Sequence, residues 1–405
     1  MPDDLWYLKK KGDDKPLPSK RHGRGSRWRV RWTDPITGKD RSELFERRAD
    51  AERHENSIKA DISRGQYIDP RDGQITVAEY AEEWRKSLLQ RKNTAANVER
   101  FLRLHIVPVL GHLPLAGVRA SHIRSWVLDR SAVLAPNSLH RVYSGVLAAL
   151  FKSALVDRRI GFSPCLGIRL PELVDPQYTI ATAEQVHALS EALPKRFGAV
   201  PIFAAGCGWR AGEIMGLEPE GLNFLRREAY VRQQLLNVPK APLRIARPKT
   251  RTSVRTNEMA DLVRLTMARH LERFPPTTVE IEDETDDPRR PVQRKAKLIF
   301  TLENGKPISS AAWSLIWAPA VKAVGLPAGY GLRDLRHFYA TVLIYGGASV
   351  KTVQKALGHT KPSTTLDVYT GYWPEAAAQN RVLVQDALTV ASADGATLAS
   401  GQDQQ

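Results

Sequence analysis

Gly331-Leu332-Arg333-Asp334-Leu335-Arg336-His337 opens a predicted helix in the last third of the chain, and Leu357-Gly358-His359 and Tyr369 follow it. Two further basic residues precede this stretch, Arg210 and Lys249. Each residue alone says little, because an arginine in a basic protein is usually a solvated surface residue. Their order and spacing, with Tyr369 ten residues after His359, indicate one dispersed site.

The residue types of this set suit the cleavage of a phosphodiester without a metal ion. That reaction needs a nucleophile, cations that spread the charge building on the non-bridging oxygens, and an acid for the departing oxygen. A tyrosine, arginines, a histidine and a lysine meet those needs. Arginine suits the phosphate clamp because its planar fork donates two parallel hydrogen bonds and keeps its charge.

Four short motifs resemble those of the tyrosine recombinases, the phage-integrase family. They are Arg210-Ala211-Gly212-Glu213 before an apolar pair, Pro248-Lys249-Thr250, the Arg333 to His337 run, and Leu-Gly-His with its following tyrosine. The resemblance implies that Tyr369 attacks the scissile phosphate to leave a 3′-phosphotyrosyl link and a free 5′-hydroxyl. It implies roles for the other residues as follows: Arg210, Arg333 and Arg336 hold the phosphate, Lys249 protonates the leaving oxygen, and His359 supports the transition state and accepts the proton of Tyr369.

Position 333 departs from the family pattern, which has histidine there. A three-residue offset on a helix still places Arg333 and Arg336 on one face. Arginine does not titrate usefully, so charge stabilisation is kept and a proton-transfer role at 333 is in doubt. Two neighbours are expected to support the site: Glu213 by orienting Arg210, and His337 by bonding within the domain.

Two candidate residues have rivals close by in the sequence. Arg251 competes with Lys249 as the cation of a predicted β-hairpin, formed by a strand, a turn and a returning strand. Tyr372, one helical turn on, competes with Tyr369 as the nucleophile, although a tyrosine in an apolar helix usually packs in a core. The spacing from His359 favours Tyr369.

Composition bounds the class of protein. The chain has 405 residues, a formal net charge of +16 and a pI near 9.9, which favour a polyanionic partner such as double-stranded DNA. It has no apolar run of the roughly 20 residues that span a bilayer and no visible secretory signal, so we expect a cytoplasmic, DNA-associated protein. Cys165 and Cys207 are too few for a disulfide framework or a four-ligand zinc site and are expected to be reduced and buried. No phosphate-binding loop motif is present, and we expect no cofactor and no metal.

The first 68 residues are predicted to form an arm-type DNA-binding domain. Ten lysines and arginines lie between Lys9 and Arg31, and strands are predicted at 27–32 and 41–45, with a turn at 34–39 and a helix at 49–64. Arginines on such a ribbon can enter a DNA groove, although an ordinary hairpin with a solvated basic face reads the same way. The segment resembles the arm domain of the larger integrases, and the candidate DNA contacts are Arg27, Arg29, Arg31 and Lys39.

Two larger domains are expected after the arm. Residues 74–172 carry a capping-box start and four amphipathic helices at about 77–88, 95–109, 120–131 and 137–158, and resemble the family's core-binding domain, with Arg91 and Lys92 as candidate DNA contacts. Residues 179–388 would form the mixed α/β catalytic domain, with a solvated acidic loop at 280–287, and 389–405 a C-terminal tail. The fold class is mainly α with small β elements, including an N-terminal three-stranded sheet.

The resemblance implies integration or excision of a mobile element or phage. Strand exchange between two duplexes implies a homotetramer on DNA attachment sites, with possible accessory DNA-bending or directionality factors. Two alternatives from other classes stay open: a catalytically inactive DNA-binding regulator, which Arg333 admits, and a metal-dependent nuclease or transposase.

Overall fold

The computed structural model describes residues 1–8, 17–65, 67–69, 71–90, 92–173, 178–238 and 241–369, without the side chains of 92, 364, 367 and 368. Arg91, Tyr372 and the predicted tail at 389–405 lie outside the described residues. The chain divides into two compact units, Met1–Asp175 and Pro176–Gln405. The finer division into an arm, a core-binding and a catalytic domain stays a prediction.

The first unit begins with a small β domain and a helix. Its strands and helix are β1 (Asp3–Asp4), β2 (Tyr7–Leu8), β3 (Leu17–Pro18), β4 (Trp28–Thr33), β5 (Asp40–Phe45) and α1 (Arg48–Ser63). Strands β1, β4 and β5 form an antiparallel sheet in the order β1-β4-β5. Buried Asp34 closes the β4–β5 turn by accepting hydrogen bonds from the backbone of Ile36 and the hydroxyl of Thr37. The predicted N-terminal three-stranded sheet is confirmed.

A helical bundle completes the first unit. Its helices are α2 (Val77–Ser87), α3 (Lys92–Phe101), α4 (Val107–Leu110), α5 (Ala120–Ser131), α6 (Pro136–Val142) and α7 (Ala148–Val156). The capping box predicted before α2 is present, with Thr76 accepting from Glu79 and Glu79 accepting from the Thr76 backbone. Single π-helical segments at 102–106 and 143–147 interrupt two helices that the sequence predicted as continuous. The apolar faces of the bundle helices form one core, which includes fully buried Trp126.

The second unit is a mixed α/β domain. In chain order its elements are α8 (Ala183–Ala192), α9 (Ala199–Cys207), α10 (Ala211–Met215), β6 (Leu222–Asn223), β7 (Glu228–Val231), β8 (Gln234–Leu236), β9 (Arg244–Ala246), β10 (Arg255–Glu258), α11 (Asp261–Arg273), β11 (Thr277–Asp283), β12 (Val292–Leu298), α12 (Ser310–Ala323), α13 (Leu332–Tyr345), α14 (Val350–Leu357) and α15 (Pro362–Tyr369). One large core lies among these elements, and a smaller apolar cluster joins α13, α14 and α15.

The predicted β-hairpin around Lys249 is wrong. Strands β9 and β10 flank this lysine, but β9 belongs to a four-stranded sheet of order β12-β11-β9-β8, whereas β10 belongs to a three-stranded sheet of order β10-β7-β6. The partners of β10 in its sheet come from β7, with Arg255 opposite Val231. Residues 247–254 therefore cross from one sheet to another, and the sequence gives no local sign of this because each strand's partner is distant in the chain.

The predicted solvated acidic loop at 280–287 is wrong over its first half. Residues up to Asp283 belong to β11, which pairs with β12 on one side and with β9 on the other. Asp283 and Glu284 are buried. Each has an arginine partner, Arg294 for Asp283 and Arg244 for Glu284. Burial of a carboxylate is tolerated when it is paired with a cation, and these two partners lie 11 and 40 residues away in the chain.

Both cysteines are thiols without a disulfide bond, and their burial differs. Cys207 is buried and Cys165 is half-buried, so the predicted burial holds fully only for Cys207. Burial raises the pKa of Cys165 to about 11 and that of Cys207 to about 12. Among the described residues, no helix is both long enough and apolar enough to cross a membrane.

Two leucines of α7 provide a matched test of the helical core. Leu150 is 0% exposed, whereas Leu155 on the same helix is 38% exposed. We expect Leu150→Ala to lower the free energy of unfolding of the helical bundle by roughly 2–5 kcal/mol, because it removes buried methyl groups and leaves a cavity. Leu155→Ala should cost well under half as much. Urea unfolding followed by far-UV circular dichroism measures both, and equal losses would contradict the packing described.

Candidate active site

Arg210 and Glu213 form the first fragment of the site. Arg210 caps α10, and the carboxylate of Glu213 accepts from the Arg210 backbone N–H at 2.9 Å and from its guanidinium at 2.8 Å. The Arg210 side chain is 41% exposed, while Glu213 is 2% exposed. The buried carboxylate thus fixes a partly exposed arginine, which is what a phosphate clamp needs.

Three glycines let this fragment approach its neighbours closely. A Cβ on Gly206 would lie 2.2 Å from Val263, and one on Gly212 would lie 2.9 Å from the Leu235 carbonyl oxygen. Gly208 ends α9 in the left-handed region with a φ of 64°, and a Cβ there would lie 2.3 Å from the Tyr339 ring. The glycines on both sides of Arg210 are therefore required by packing, and Gly208 also by its backbone conformation.

Arg255 is a further residue of this site, which sequence reasoning missed. Its guanidinium holds both carboxylate oxygens of Glu213, at 2.9 and 3.3 Å, and its Nε donates to the Ala356 carbonyl oxygen at 2.9 Å. Strand β10 alternates between buried and exposed positions, with Arg255 and Asn257 inward. All four residues of β10 are polar, Arg-Thr-Asn-Glu, so the sequence has no apolar alternation that would have marked the buried face of Arg255.

Glu213 stays ionised between its two arginines. Burial by itself raises the pKa of this carboxyl, but the positive charge and hydrogen bonds of Arg255, with Arg210 behind it, outweigh burial and hold the pKa below its usual range. The carboxylate therefore remains an acceptor for both guanidinium groups at neutral pH.

Arg336 lies on α13 and is buried. It donates to the Gly208 carbonyl oxygen at 2.7 Å and to the Leu357 carbonyl oxygen. Burial, and then the charges of Arg210 and Arg255, lower the pKa of this guanidinium. A guanidinium has five N–H donors, so these two bonds do not exhaust it. The surplus of positive charge favours an anion at this point.

Arg333 is exposed on the same helix as Arg336. Its charge acts on the buried His337, whose pKa it helps to lower. The helix therefore presents one arginine to solvent and holds the other in the domain, and any shared grip on a phosphate by the two stays a prediction.

Lys249 is exposed on the segment that crosses between the two sheets. That segment is tied to the Leu-Gly-His turn: the hydroxyls of Thr252 and Thr360 lie 3.3 Å apart. A Cβ on Gly358 would lie only 2.7 Å from the Thr252 carbonyl oxygen. Gly358 has a φ of 64°, so both its conformation and this close approach require glycine.

His359 follows that glycine and faces α15. Its Nδ1 shares a hydrogen bond of 2.9 Å with the hydroxyl of buried Thr365. Thr365 and Tyr369 are four residues apart on α15, so they share a helix face. Burial, followed by the charge of Arg336 and of Arg210, lowers the pKa of His359 to about 4. The imidazole is neutral at pH 7.

Tyr369 is 1% exposed and packs in the cluster of α13, α14 and α15. Its hydroxyl is 2.6 Å from Nδ1 of His337, which is also buried. The ring of Tyr178 also packs against this histidine, with ring centroids 4.1 Å apart. His337, expected mainly to bond within the domain, thus touches the candidate nucleophile itself, which no spacing rule predicted.

Hydrogen bonds and close approaches connect most of the predicted site residues. The Arg210–Glu213 pair reaches the carbonyl oxygen of Ala356 through Arg255, and Arg336 bonds the next carbonyl, that of Leu357. The Lys249 segment joins at the same turn. Among the described residues, no hydrogen bond joins Arg333 to this network. The catalytic roles of all six candidates stay predictions: Arg210, Lys249, Arg333, Arg336, His359 and Tyr369.

The arm arginines predicted to contact DNA are paired with acids of β1. Arg27 lies 2.8 Å from Asp4, and Arg29 and Arg31 lie 3.1 and 2.8 Å from Asp3. These ion pairs are partly exposed, so each contributes little to stability. A DNA phosphate would have to compete with them.

The other predicted DNA contacts are less defined. Lys39 is exposed at the end of the β4–β5 turn. Lys92 begins α3, and neither its side chain nor Arg91 is among the parts of the chain that the structure describes. DNA contact by all of these residues stays a prediction.

Comparison with known proteins identifies the family. Residues 180–373 match the model of the phage integrase family. A putative prophage phiRv2 integrase of Mycobacterium tuberculosis is 25% identical over 349 residues, covering 83% of this chain and 88% of the relative.

Solved structures agree in fold. The integrase of the transposon Tn1549, in complex with a circular intermediate DNA, superposes with a TM-score of 0.65 at 23% identity, covering 76% of this chain and 99% of the other. The lambda integrase, as a tetramer bound to a Holliday junction, gives a TM-score of 0.55 at 17% identity, covering 82% and 93%. With the arginine, lysine, histidine and tyrosine motifs in family order, residues 180–373 of this chain belong to the phage integrase family of tyrosine recombinases.

Proposed function

We propose that this chain cleaves and rejoins DNA at specific sites through Tyr369, in order to integrate or excise a mobile element. Its family makes it a DNA strand-transferring, site-specific recombinase; the residues that perform each step are our assignment. The observation that carries the assignment is the network in which Glu213, Arg255 and Arg336 bind the Arg210 fragment to the turn before His359.

Arg210 and Arg336 bind the scissile phosphate. The Arg210 side chain is 41% exposed and oriented by Glu213, and buried Arg336 lies among the positive charges of Arg210 and Arg255. Hydrogen bonds from both guanidinium groups to the non-bridging oxygens stabilise the charge that develops during attack. Arg333 adds positive charge at the solvent edge of the same helix.

Lys249 protonates the departing 5′-oxygen. Its ammonium stands on a segment that the hydroxyls of Thr250 and Ser253 brace at 2.8 Å and that contacts the His359 turn. A lysine that delivers a proton needs a side chain long enough to reach the leaving oxygen and a backbone held in place. A short segment braced by hydrogen bonds provides the second of these.

Tyr369 attacks phosphorus after a movement of α15. In the conformation described, its hydroxyl is buried against His337, so a phosphate cannot reach it. His359 contacts Thr365, one turn before Tyr369 on the same helix face. As the Tyr369 oxygen bonds to phosphorus, its proton passes to His359, the 5′-oxygen leaves with a proton from Lys249, and the reverse steps rejoin a strand.

The assembly that acts is a homotetramer on two DNA duplexes. Exchange of strands between two duplexes cuts four strands, and one tyrosine per protomer makes one cut. The lambda integrase tetramer on a Holliday junction has the same fold. The net charge of +16 suits binding to the phosphate backbone, and we place the protein in the cytoplasm with DNA, assisted by accessory bending or directionality factors.

The first experiment traps the covalent intermediate. The chain is incubated in excess chelator with a DNA that carries its core site and a nick beside the scissile phosphate, so that a short product diffuses away and religation fails. We expect a covalent protein–DNA adduct, its loss in Tyr369→Phe, and its retention in Tyr372→Phe, because only Tyr369 has the spacing from His359 that the family shows.

Other outcomes of that experiment select other functions. A site that is bound tightly by the parent chain without an adduct would indicate a DNA-binding regulator. Cleavage that appears only when Mg²⁺ is restored would indicate a metal-dependent nuclease. Loss of the adduct in Tyr372→Phe but not in Tyr369→Phe would identify Tyr372 as the nucleophile.

A sulfur substitution tests the role of Lys249. We expect Lys249→Ala to slow adduct formation by about a hundredfold or more, the usual range for a lost general acid. A bridging 5′-phosphorothiolate should restore most of the rate, since a thiolate leaves without a proton. Arg251→Ala, two residues along, is the matched control and should show neither effect. A defect in Lys249→Ala that sulfur does not relieve would remove the lysine from this role.

The histidine beside Tyr369 gives the catalytic unit a pH-dependent stability. Burial, followed by Arg333 and Arg336, lowers the pKa of His337 to about 4, against about 6.5 when unfolded. As the pH falls below 6.5, His337 becomes protonated in the unfolded chain but stays neutral in the folded chain. The free energy of unfolding therefore decreases as the pH falls from 6.5 to about 4. Urea unfolding across this window should show a shallower fall in His337→Asn than in the parent or in His187→Asn, an exposed control. Equal pH dependence of the free energy of unfolding in all three proteins would contradict this role of His337.

A further inference from the structure

We propose that Arg255 is a positioning residue for recombination, which holds the phosphate-binding arginine, the lysine segment and the histidine turn in one arrangement. This inference rests on the proposed function, because it assigns to Arg255 the task of aligning groups whose roles are proposed above.

The first contact of Arg255 reaches the phosphate clamp. Its NH1 and NH2 groups grip the two oxygens of Glu213 at 3.3 and 2.9 Å, and the same carboxylate holds the Arg210 guanidinium at 2.8 Å. Glu213 thus lies between two arginines, one exposed and one 4% exposed. The direction of the Arg210 guanidinium therefore depends on where Arg255 holds the carboxylate.

The second contact reaches the lysine segment. NH1 of Arg255 also donates to the Ser253 carbonyl oxygen at 3.0 Å. The Ser253 hydroxyl in turn lies 2.8 Å from that of Thr250, the residue next to Lys249. Because β9 and β10 are not paired with each other, this segment has no ladder between its flanking strands to set its path, and Arg255 is one of the groups that fix it.

The third contact reaches the histidine turn. Nε of Arg255 donates to the Ala356 carbonyl oxygen at 2.9 Å, and Asn257 donates to the same oxygen at 3.0 Å. That carbonyl belongs to the last turn of α14, whose C-terminal carbonyls lack partners within the helix. The cap therefore comes from β10, and it sets where Gly358 and His359 leave the helix.

These three contacts need the arginine side chain in particular. Its donors point in several fixed directions in one plane, whereas lysine has a single nitrogen. A lysine at 255 would keep a positive charge beside Glu213 but could not hold the carboxylate and both carbonyl oxygens together. Arg255 is buried and contacts protein groups on all these sides, so it acts on the reaction through Arg210, the lysine segment and His359.

Arg244 is a matched control in the same unit. It is also buried, with a side chain 7% exposed, and it is paired with Glu284, which is equally buried. Its described ion pairs are with Glu284 and Glu282, whereas Arg255 is paired with Glu213, the carboxylate that also holds Arg210. Arg244→Lys and Arg255→Lys therefore make the same chemical change beside a buried carboxylate, and only one of them lies in the network.

The experiment compares the full-length parent, Arg255→Lys and Arg244→Lys on the nicked core-site DNA, with an ordinary phosphate and with a bridging 5′-phosphorothiolate. We expect Arg255→Lys to lower the rate constant of adduct formation at least tenfold on the phosphate, with Kd for DNA changed less than threefold. The loss should be smaller on the phosphorothiolate, because sulfur removes the need for a correctly placed Lys249. Arg244→Lys should leave the ratio of the two rates at the parent value.

Several results would overturn the inference. They are a loss below tenfold in Arg255→Lys, an equal loss in Arg244→Lys, or a loss that is the same on both substrates. If Arg255→Lys does not fold, Glu213→Gln is compared with the double variant Glu213→Gln/Arg255→Met, in which neither residue is charged. Equal rates of adduct formation in these two variants would also overturn the inference. If the parent chain binds the site but forms no adduct, the result contradicts the proposed function rather than the role of Arg255.

Discussion

The carboxylate of Glu213 accepts hydrogen bonds from two arginines while it is almost completely buried. A buried carboxylate is costly unless it is paired and fully hydrogen-bonded, so the fold must keep both Arg210 and Arg255 in place. Arg210 caps α10, and Arg255 lies on β10, 42 residues after Glu213 in the chain. One electrostatic requirement thus fixes the relation between the helix that starts the site and the sheet that carries the lysine segment.

The end of α14 is the second point on which this arrangement depends. Its last carbonyls are satisfied by side chains from elsewhere: Ala356 by Arg255 and Asn257, and Leu357 by Arg336. The helix then stops at Gly358, whose left-handed backbone and lack of a side chain admit the lysine segment at contact distance. Buried arginines here replace water as hydrogen-bond donors, and so a helix terminus becomes the place where the site fragments meet.

Local pattern in the sequence predicted some features of the chain. Motif order selected Arg210, Arg336, His359 and Tyr369 as candidate site residues, and period-two alternation predicted the arm strands of the first unit, because those signals are carried by nearby residues. Arg255 was missed since its importance comes from Glu213 and Ala356, which are remote in the chain. The lysine hairpin was wrong for the same reason: strands β9 and β10 look like partners in sequence, but sheet pairing is decided by β7 and β11. The acidic stretch failed because Arg244 and Arg294 compensate it from a distance.

The buried position of Tyr369 sets an energetic condition on the reaction. Exposing a buried aromatic side chain costs about 1.5–3 kcal/mol, and losing its bond to His337 adds about 1 kcal/mol. The sum, about 2.5–4 kcal/mol, corresponds to roughly two to three orders of magnitude in population. Hydrogen bonds to a charged phosphate contribute about 1.5–3 kcal/mol each, and Arg210 and Arg336 together can make several. Engagement of the phosphate can therefore offset the release of the tyrosine if the two are coupled. The contact of His359 with Thr365 supplies a physical route, because it joins the turn that Arg255 and Arg336 hold to the helix that carries the nucleophile.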